Sequence, residues 1–304
     1  MTSALKRYFT KKPSDIIVEF IIAALCILIF FIIAYPLYFI VIASFSNSFD
    51  VNAGRVIFWP VNASLYGYEK IFEDSRIWLG YKNTVIYTLL GTSINLLFTL
   101  PAAYVLSRKR FAPRKVIMAL FVFTMFFGGG MIPTYMLIRD LKMINTIWVM
   151  VIPFCVSVYN LIITRTFMEA SIPEELFEAA IMDGCSHFKY FINVILPLSK
   201  AVISVIGLYY LVGHWNNFFS ALLYLSRDNL QPLQVVLRNI LLANQVFQQG
   251  AGSGAGVGVG GYAQQYADQI KYGIIIVSVL PVLCLYPFIQ RYFEKGVMIG
   301  AIKG

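Results

Sequence analysis

The chain has 304 residues, 59% of them hydrophobic and 13% charged, with a mean hydropathy of +0.73. A soluble domain is about half apolar and a quarter charged, so this composition excludes a single water-soluble core and leaves lipid to cover the excess. The net charge of +9 does not point to nucleic acid, because the bases sit in short clusters between apolar runs, the pattern that orients membrane proteins.

Lys6, Arg7, Lys11 and Lys12 precede an apolar run over 16–43. That run exceeds a signal-peptide core and shows no small-x-small cleavage site, so it reads as an uncleaved first span. Five further segments reach the roughly 20 apolar residues that a helical crossing needs: 83–106, 115–138, 146–168, 200–225 and 271–290. Each is expected to be helical, since lipid offers backbone polar groups no partners. Pro36, Pro133, Pro153 and Pro281 fall within or near these spans and mark candidate kinks. The predicted fold class is an all-α integral membrane protein with six transmembrane helices.

With both termini cytoplasmic, fifteen of the 24 lysines and arginines lie on the inner side. The short Arg108–Lys115 loop, with five bases and no acid, decides the orientation. Two outer loops are then long, 44–82 and 226–270. The second holds a glycine-rich tract in which Gly256, Gly258 and Gly261 match G-x-G-x-x-G by spacing. No strand precedes it and it lies on the wrong side for a nucleotide. It reads as a flexible linker or a loop that probes an extracellular partner.

Cys26, Cys155, Cys185 and Cys284 are scattered without metal spacing and read as packing residues. With only His187 and His214 besides, neither a metal site nor a catalytic constellation is expected. Lys295 and Lys303, in the tail 291–304, read as anchors of the last span. His214, Trp215, Asn216 and Asn217 interrupt the fifth span with polar groups. They either line a translocation path or hydrogen-bond between helices.

The inner loop 169–199 is patterned. Ser171 and Glu174 match a capping box with Pro173 in the first turn, predicting a helix from about Ile172. Leu176, Ala179, Ala180 and Asp183 share a helical face, and Gly184 supplies a left-handed stop. A second short segment, His187 to Asn193, leads to Leu196-Pro197.

Glu178-Ala179-Ala180, three residues, Gly184, nine residues, Val194-x-Leu196-Pro197 resembles the EAA motif of ABC importer membrane subunits, with Val194 in place of isoleucine. The C-terminal run from Gly296 to Gly304 resembles the maltose-type (MalG-like) permease subunits of carbohydrate importers. The Phe126 to Tyr135 run is similar to the LplC/YtcP-like branch from Gram-positive bacteria. This resemblance implies a type I ABC importer transmembrane domain in the cell membrane. It implies that Glu178, Ala179, Ala180, Asp183, Gly184, Leu196 and Pro197 couple to a cytoplasmic ABC ATPase dimer that binds ATP and Mg. It also implies a tail in which Lys295, Gly300 and Lys303 reach that ATPase. The implied partners are a second permease subunit and an extracellular solute-binding lipoprotein, with a carbohydrate, such as an oligosaccharide, as cargo. The alternative is an ion-coupled secondary transporter, which usually needs ionisable groups in mid-membrane; these spans are nearly bare of acids.

Overall fold

A computed structural model describes residues 13–251, 270–284 and 287. These are mostly helical, without strands among the described residues, and fall into two units. One comprises the described residues up to Glu73 together with those of Ala243–Val277. The other comprises Asp74–Leu242 together with those from Ser278 onward.

In the first unit, α1 (Pro13–Ser44) is 32 residues long, about 48 Å at 1.5 Å per residue. Its apolar side chains are exposed on all sides, as in Phe20, Phe30 and Leu37. A helix apolar all round is at rest only in lipid or protein. Its C-terminal end is anchored where Ile42, Ala43, Val51 and Val56 form a small core. α2 (Ser48–Asn52) is capped by the Asn47 side chain. Asp50, buried beside it, is neutralised by Arg55 at 3.1 Å and accepts from Asn62 Nδ2 at 2.7 Å. α3 (Tyr66–Glu73) closes this segment, with the Tyr68 hydroxyl 2.8 Å from Ser44 Oγ.

The second unit is built on α4 (Ser75–Ser107). Asp74 caps it, accepting from Arg76 N at 2.9 Å and pairing with the Arg76 guanidinium at 2.7 Å. One face of α4 carries Gly80, Thr84, Thr88, Gly91, Asn95, Thr99 and Ala103, all buried. Small residues at such spacing let other helices approach closely, here α8 (Val158–Ser171) and α11 (Lys200–Trp215).

The expected third span, 115–138, is two helices, α5 (Arg114–Phe126) and α6 (Met131–Asp140), meeting at 112°. Three consecutive glycines occupy the break, and Gly130 takes φ +87°, open to glycine at little cost. The expected fourth span, 146–168, is also broken. α7 (Trp148–Val151) stops before Pro153, and α8 begins only at Val158. Proline lacks an amide hydrogen and disfavours helical geometry in the residue before it. The expected fifth span, 200–225, ends as α11 at Trp215, and α12 (Phe218–Tyr224) follows under the Asn217 cap.

The expected outer loop 226–270 contains a helix, α13 (Leu233–Ala251). Its start is fastened to α4. Leu233 N donates to Thr84 Oγ1 at 2.8 Å, and the Tyr87 hydroxyl donates to Leu230 O at 2.8 Å. Asn83 Nδ2 donates to the carbonyls of Asn229 and Gln231. The last described helix, α14, is Ile270–Cys284. Among the described residues, two helices, over Ile17–Ser44 and Ser75–Ser107, are long and apolar enough to cross a membrane, or up to four if each bent pair is one crossing. The glycine-rich tract beyond Ala251 lies outside the described residues.

Candidate functional site

The patterned loop 169–199 departs from its expected capping. Ser171 ends α8, Ile172 is extended as the residue before Pro173, and α9 (Glu175–Met182) starts after Glu174, whose side chain makes no cap. Pro173 thus separates the two helices where a Ser171–Glu174 box would have joined cap to helix. At the other end Gly184 takes φ +69°. Gly184 N donates to Ile181 O and Cys185 N to Ala180 O, both at 2.9 Å, closing a Schellman-type stop. Ser186 then caps α10 (His187–Tyr190).

Aromatic packing holds this pair of short helices to the end of α4. Phe177, 4% exposed, meets the His187 ring at 5.1 Å and the Tyr190 ring edge-on at 5.2 Å. Tyr104 lies 6.3 Å from Tyr190, and the Arg108 guanidinium stands 5.3 Å over the Tyr104 ring. Burial pushes the Tyr190 phenol above its usual range, against the nearby Arg108 charge. Arg110 pairs with Glu178 at 2.8 Å, with both side chains more than half exposed.

Outward, the loop presents Leu176, Ala179, Ile181, Met182, Asp183 and Phe188, with Met182 87% and Phe188 73% exposed. Ala180 lies at the edge, packed against the core. Of the remaining EAA-like positions, Leu196 is partly buried and Pro197 exposed, after a π-helical turn over Phe191–Ile195. The helical run His187–Leu198 bends by 82° into α11.

A second feature lies deeper. A cavity of about 520 Å³ is lined by Asn95, Ser157, Asn160, His214 and Asn217, among others. It follows the break between α7 and α8, where the freed backbone groups find partners on other helices. Asn95 Nδ2 donates to Cys155 O at 2.8 Å, and Ser157 N donates to the Tyr210 hydroxyl at 3.0 Å. His214 Nε2 is 2.8 Å from Asn95 Oδ1. Irregular backbone at membrane depth is tolerated where it is buried in protein or lines a wet cavity.

The structure therefore divides the four polar positions picked from the fifth span. His214 and Asn217 line the cavity. Trp215 is buried, with Nε1 donating to Ser278 O at 3.1 Å, and Asn216 donates to Val212 O within its own helix. Asn95 and Asn160 were missed by sequence reasoning, although Asn95 recurs four residues after Gly91 on the small-residue face of α4. Lys295, Gly300 and Lys303 lie outside the described residues. No metal-ligand cluster occurs among the described residues.

Comparison with known proteins gives consistent matches. Residues 77–299 match the family described as binding-protein-dependent transport system inner membrane component. Protein LplC of Bacillus subtilis is 34% identical over 88% of this chain and 89% of its own length. The polygalacturonan/rhamnogalacturonan transport system permease protein YtcP of the same organism is 35% identical over 88% and 92%. A chain of a bacterial ABC transporter involved in the import of the acidic polysaccharide alginate superposes with a TM-score of 0.83, at 30% identity, over 93% of this chain and 99% of that one.

Proposed function

Because this chain belongs to the family of binding-protein-dependent transport system inner membrane components, we propose that it forms part of the translocation path of a carbohydrate importer and couples that path to a separate ATPase. Its all-helical fold is that of type I ABC importer permeases. The relatives named above for polygalacturonan, rhamnogalacturonan and alginate transport favour an oligosaccharide cargo. Six crossings follow if α1, α4, α5 with α6, α7 with α8, α11 with α12, and α14 each count once. The lysine and arginine bias then puts both ends of the chain in the cytoplasm, and the Bacillus relatives fit a Gram-positive cell.

The outward face of α9 and α10 carries the reading. Met182 and Phe188 stand exposed on a loop facing water, yet Phe177 and Tyr190 beneath them are locked in the core. A rigid mount with an exposed apolar face fits a protein partner. That partner is an ATPase dimer holding ATP and Mg, which draws the loop along as it closes. The rocking helices then pass cargo, handed over by an extracellular binding lipoprotein, between this chain and a second permease subunit.

The test is gentle solubilisation of native membranes and mass spectrometry of what a tagged chain brings down, with Met182→Cys as a cross-linking probe. Recovery of a second permease and a P-loop ATPase, cross-linked through position 182, is expected. A chain that emerges alone, before and after cross-linking, refutes the proposal and favours ion-coupled transport.

A further inference from the structure

The cavity beside the α7–α8 break is lined by a polar side chain with no hydrogen-bond partner among the described residues. Asn160 is 4% exposed and lines the cavity, yet its carboxamide makes no hydrogen bond among the described residues. The contrast with Asn95 is direct, since Asn95 spends its amide on Cys155 O and its oxygen on His214. The Asn160 carboxamide atoms are not shut away from solvent but open onto the cavity, where water or a ligand can take up their hydrogen bonds.

Aromatic rings stand around the same space. Tyr159 is 56%, Tyr209 45% and Phe154 78% exposed, and all three line the cavity. Neither tyrosine hydroxyl has a partner among the described residues. Phe154 takes φ +58°, a left-handed backbone that L-residues rarely adopt; such strain gathers at functional sites. Lipid does not account for this wall, because Asn160, Ser157, His214 and Asn217 share it and polar groups at membrane depth avoid hydrocarbon. Its volume, about 520 Å³, lies within the range of small-molecule pockets, roughly 300–1,000 Å³.

Resting on the carbohydrate-importer reading, we propose that this wall is a saccharide subsite contributed by this chain itself. The Asn160 carboxamide both donates and accepts, matching a pair of adjacent sugar hydroxyls. The faces of Tyr159, Tyr209 and Phe154 pack on the C–H faces of sugar rings, with the two phenols free to bond further hydroxyls. His214 and Asn217 extend the polar wall.

The experiment uses the whole importer in proteoliposomes with saturating binding protein. Uptake of radiolabelled arabinotriose, raffinose and trigalacturonate is measured alongside ATP hydrolysis. Tyr159→Ala and Asn160→Leu are each expected to lower uptake of the transported saccharide about 10-fold, the equivalent of one lost buried contact. Binding-protein-stimulated ATP hydrolysis stays near the wild-type rate, and Tyr159→Phe, which keeps the stacking face, retains most uptake. Wild-type uptake by both Tyr159→Ala and Asn160→Leu overturns the subsite and leaves the importer standing. Tyr159 is exposed, so its variant carries the test even where Asn160→Leu disturbs assembly. A wild-type complex that hydrolyses ATP but imports none of the three saccharides overturns the carbohydrate reading, and the subsite with it.

Discussion

Gly91 and His214 are in contact across two helices, and adding one methyl group there has a calculable effect. A Cβ on Gly91 would lie 2.4 Å from both Cε1 and Nε2 of His214, about 1 Å inside a normal contact. The imidazole must swing away, which breaks its 2.8 Å bond to Asn95 Oδ1. An interhelical hydrogen bond in a membrane is worth about 0.6 kcal/mol on average and up to roughly 1.7. Overpacking a tight contact costs about 1–3 kcal/mol, so the steric term dominates and the sum is about 2–4 kcal/mol. Gly91→Ala should therefore lower the thermal midpoint of the purified complex by several degrees in a fluorescence-detected unfolding assay. Gly207→Ala is the control, because its Cβ would meet only Leu96 Cδ1 at 3.8 Å, an ordinary contact. Adding His214→Ala to Gly91→Ala removes the obstruction and should restore much of the loss, giving a coupling energy of about 1–3 kcal/mol in a double-mutant cycle. Additive effects of the two substitutions would refute the argument.

Gly184→Val puts a β-branched residue at φ +69°, costing about 1–3 kcal/mol of local strain. The variant is expected in the membrane at normal levels but with binding-protein-stimulated ATP hydrolysis lost, and normal uptake would sink the coupling role of the bend. Thr84→Val deprives Leu233 N of its acceptor, at about 1–3 kcal/mol for the buried amide, and should speed limited proteolysis near the start of α13. Asp74→Ala removes the cap of α4 and should destabilise by about 1 kcal/mol at neutral pH. The Arg76 guanidinium holds the Asp74 carboxyl below its usual range, so the stabilisation is present above the ordinary carboxylate pKa and fades as pH falls through the lowered one. The gap between wild type and variant should close in acid, and a gap that widens there would contradict the assignment. Arg110→Ala breaks an ion pair whose members are both more than half exposed, so unfolding midpoints should scarcely move, the value of such pairs being about 0–1 kcal/mol.

Apolar runs, basic clusters and the spacing from Glu178 to Pro197 are local quantities, and they were sufficient for the membrane class and for the candidate coupling loop. Gly184 was readable for the same reason, since a left-handed stop is a property of one residue and its two neighbours. Averages over a span were a poorer guide to continuity. Segments 115–138 and 146–168 are apolar enough for straight helices, yet Gly128–Gly130 and Pro153 break them. Breaks of this kind survive only where distant groups receive the freed backbone, as Asn95 does for Cys155 across 60 positions in sequence. The cavity is a product of that non-local exchange. Whether a polar residue packs, bonds or is left open depends on which helices meet around it. Trp215 and Asn216, the next two residues after His214, thus bond within the fold, while Asn160 in another helix opens its carboxamide to the cavity. Sequence by itself determined that this chain is a membrane component and where its patterned 169–199 loop turns, because hydropathy and turn chemistry act over a few residues. Only the tertiary structure decided which polar groups face the cavity, because hydrogen bonds in a dry interior are settled by neighbours far along the chain.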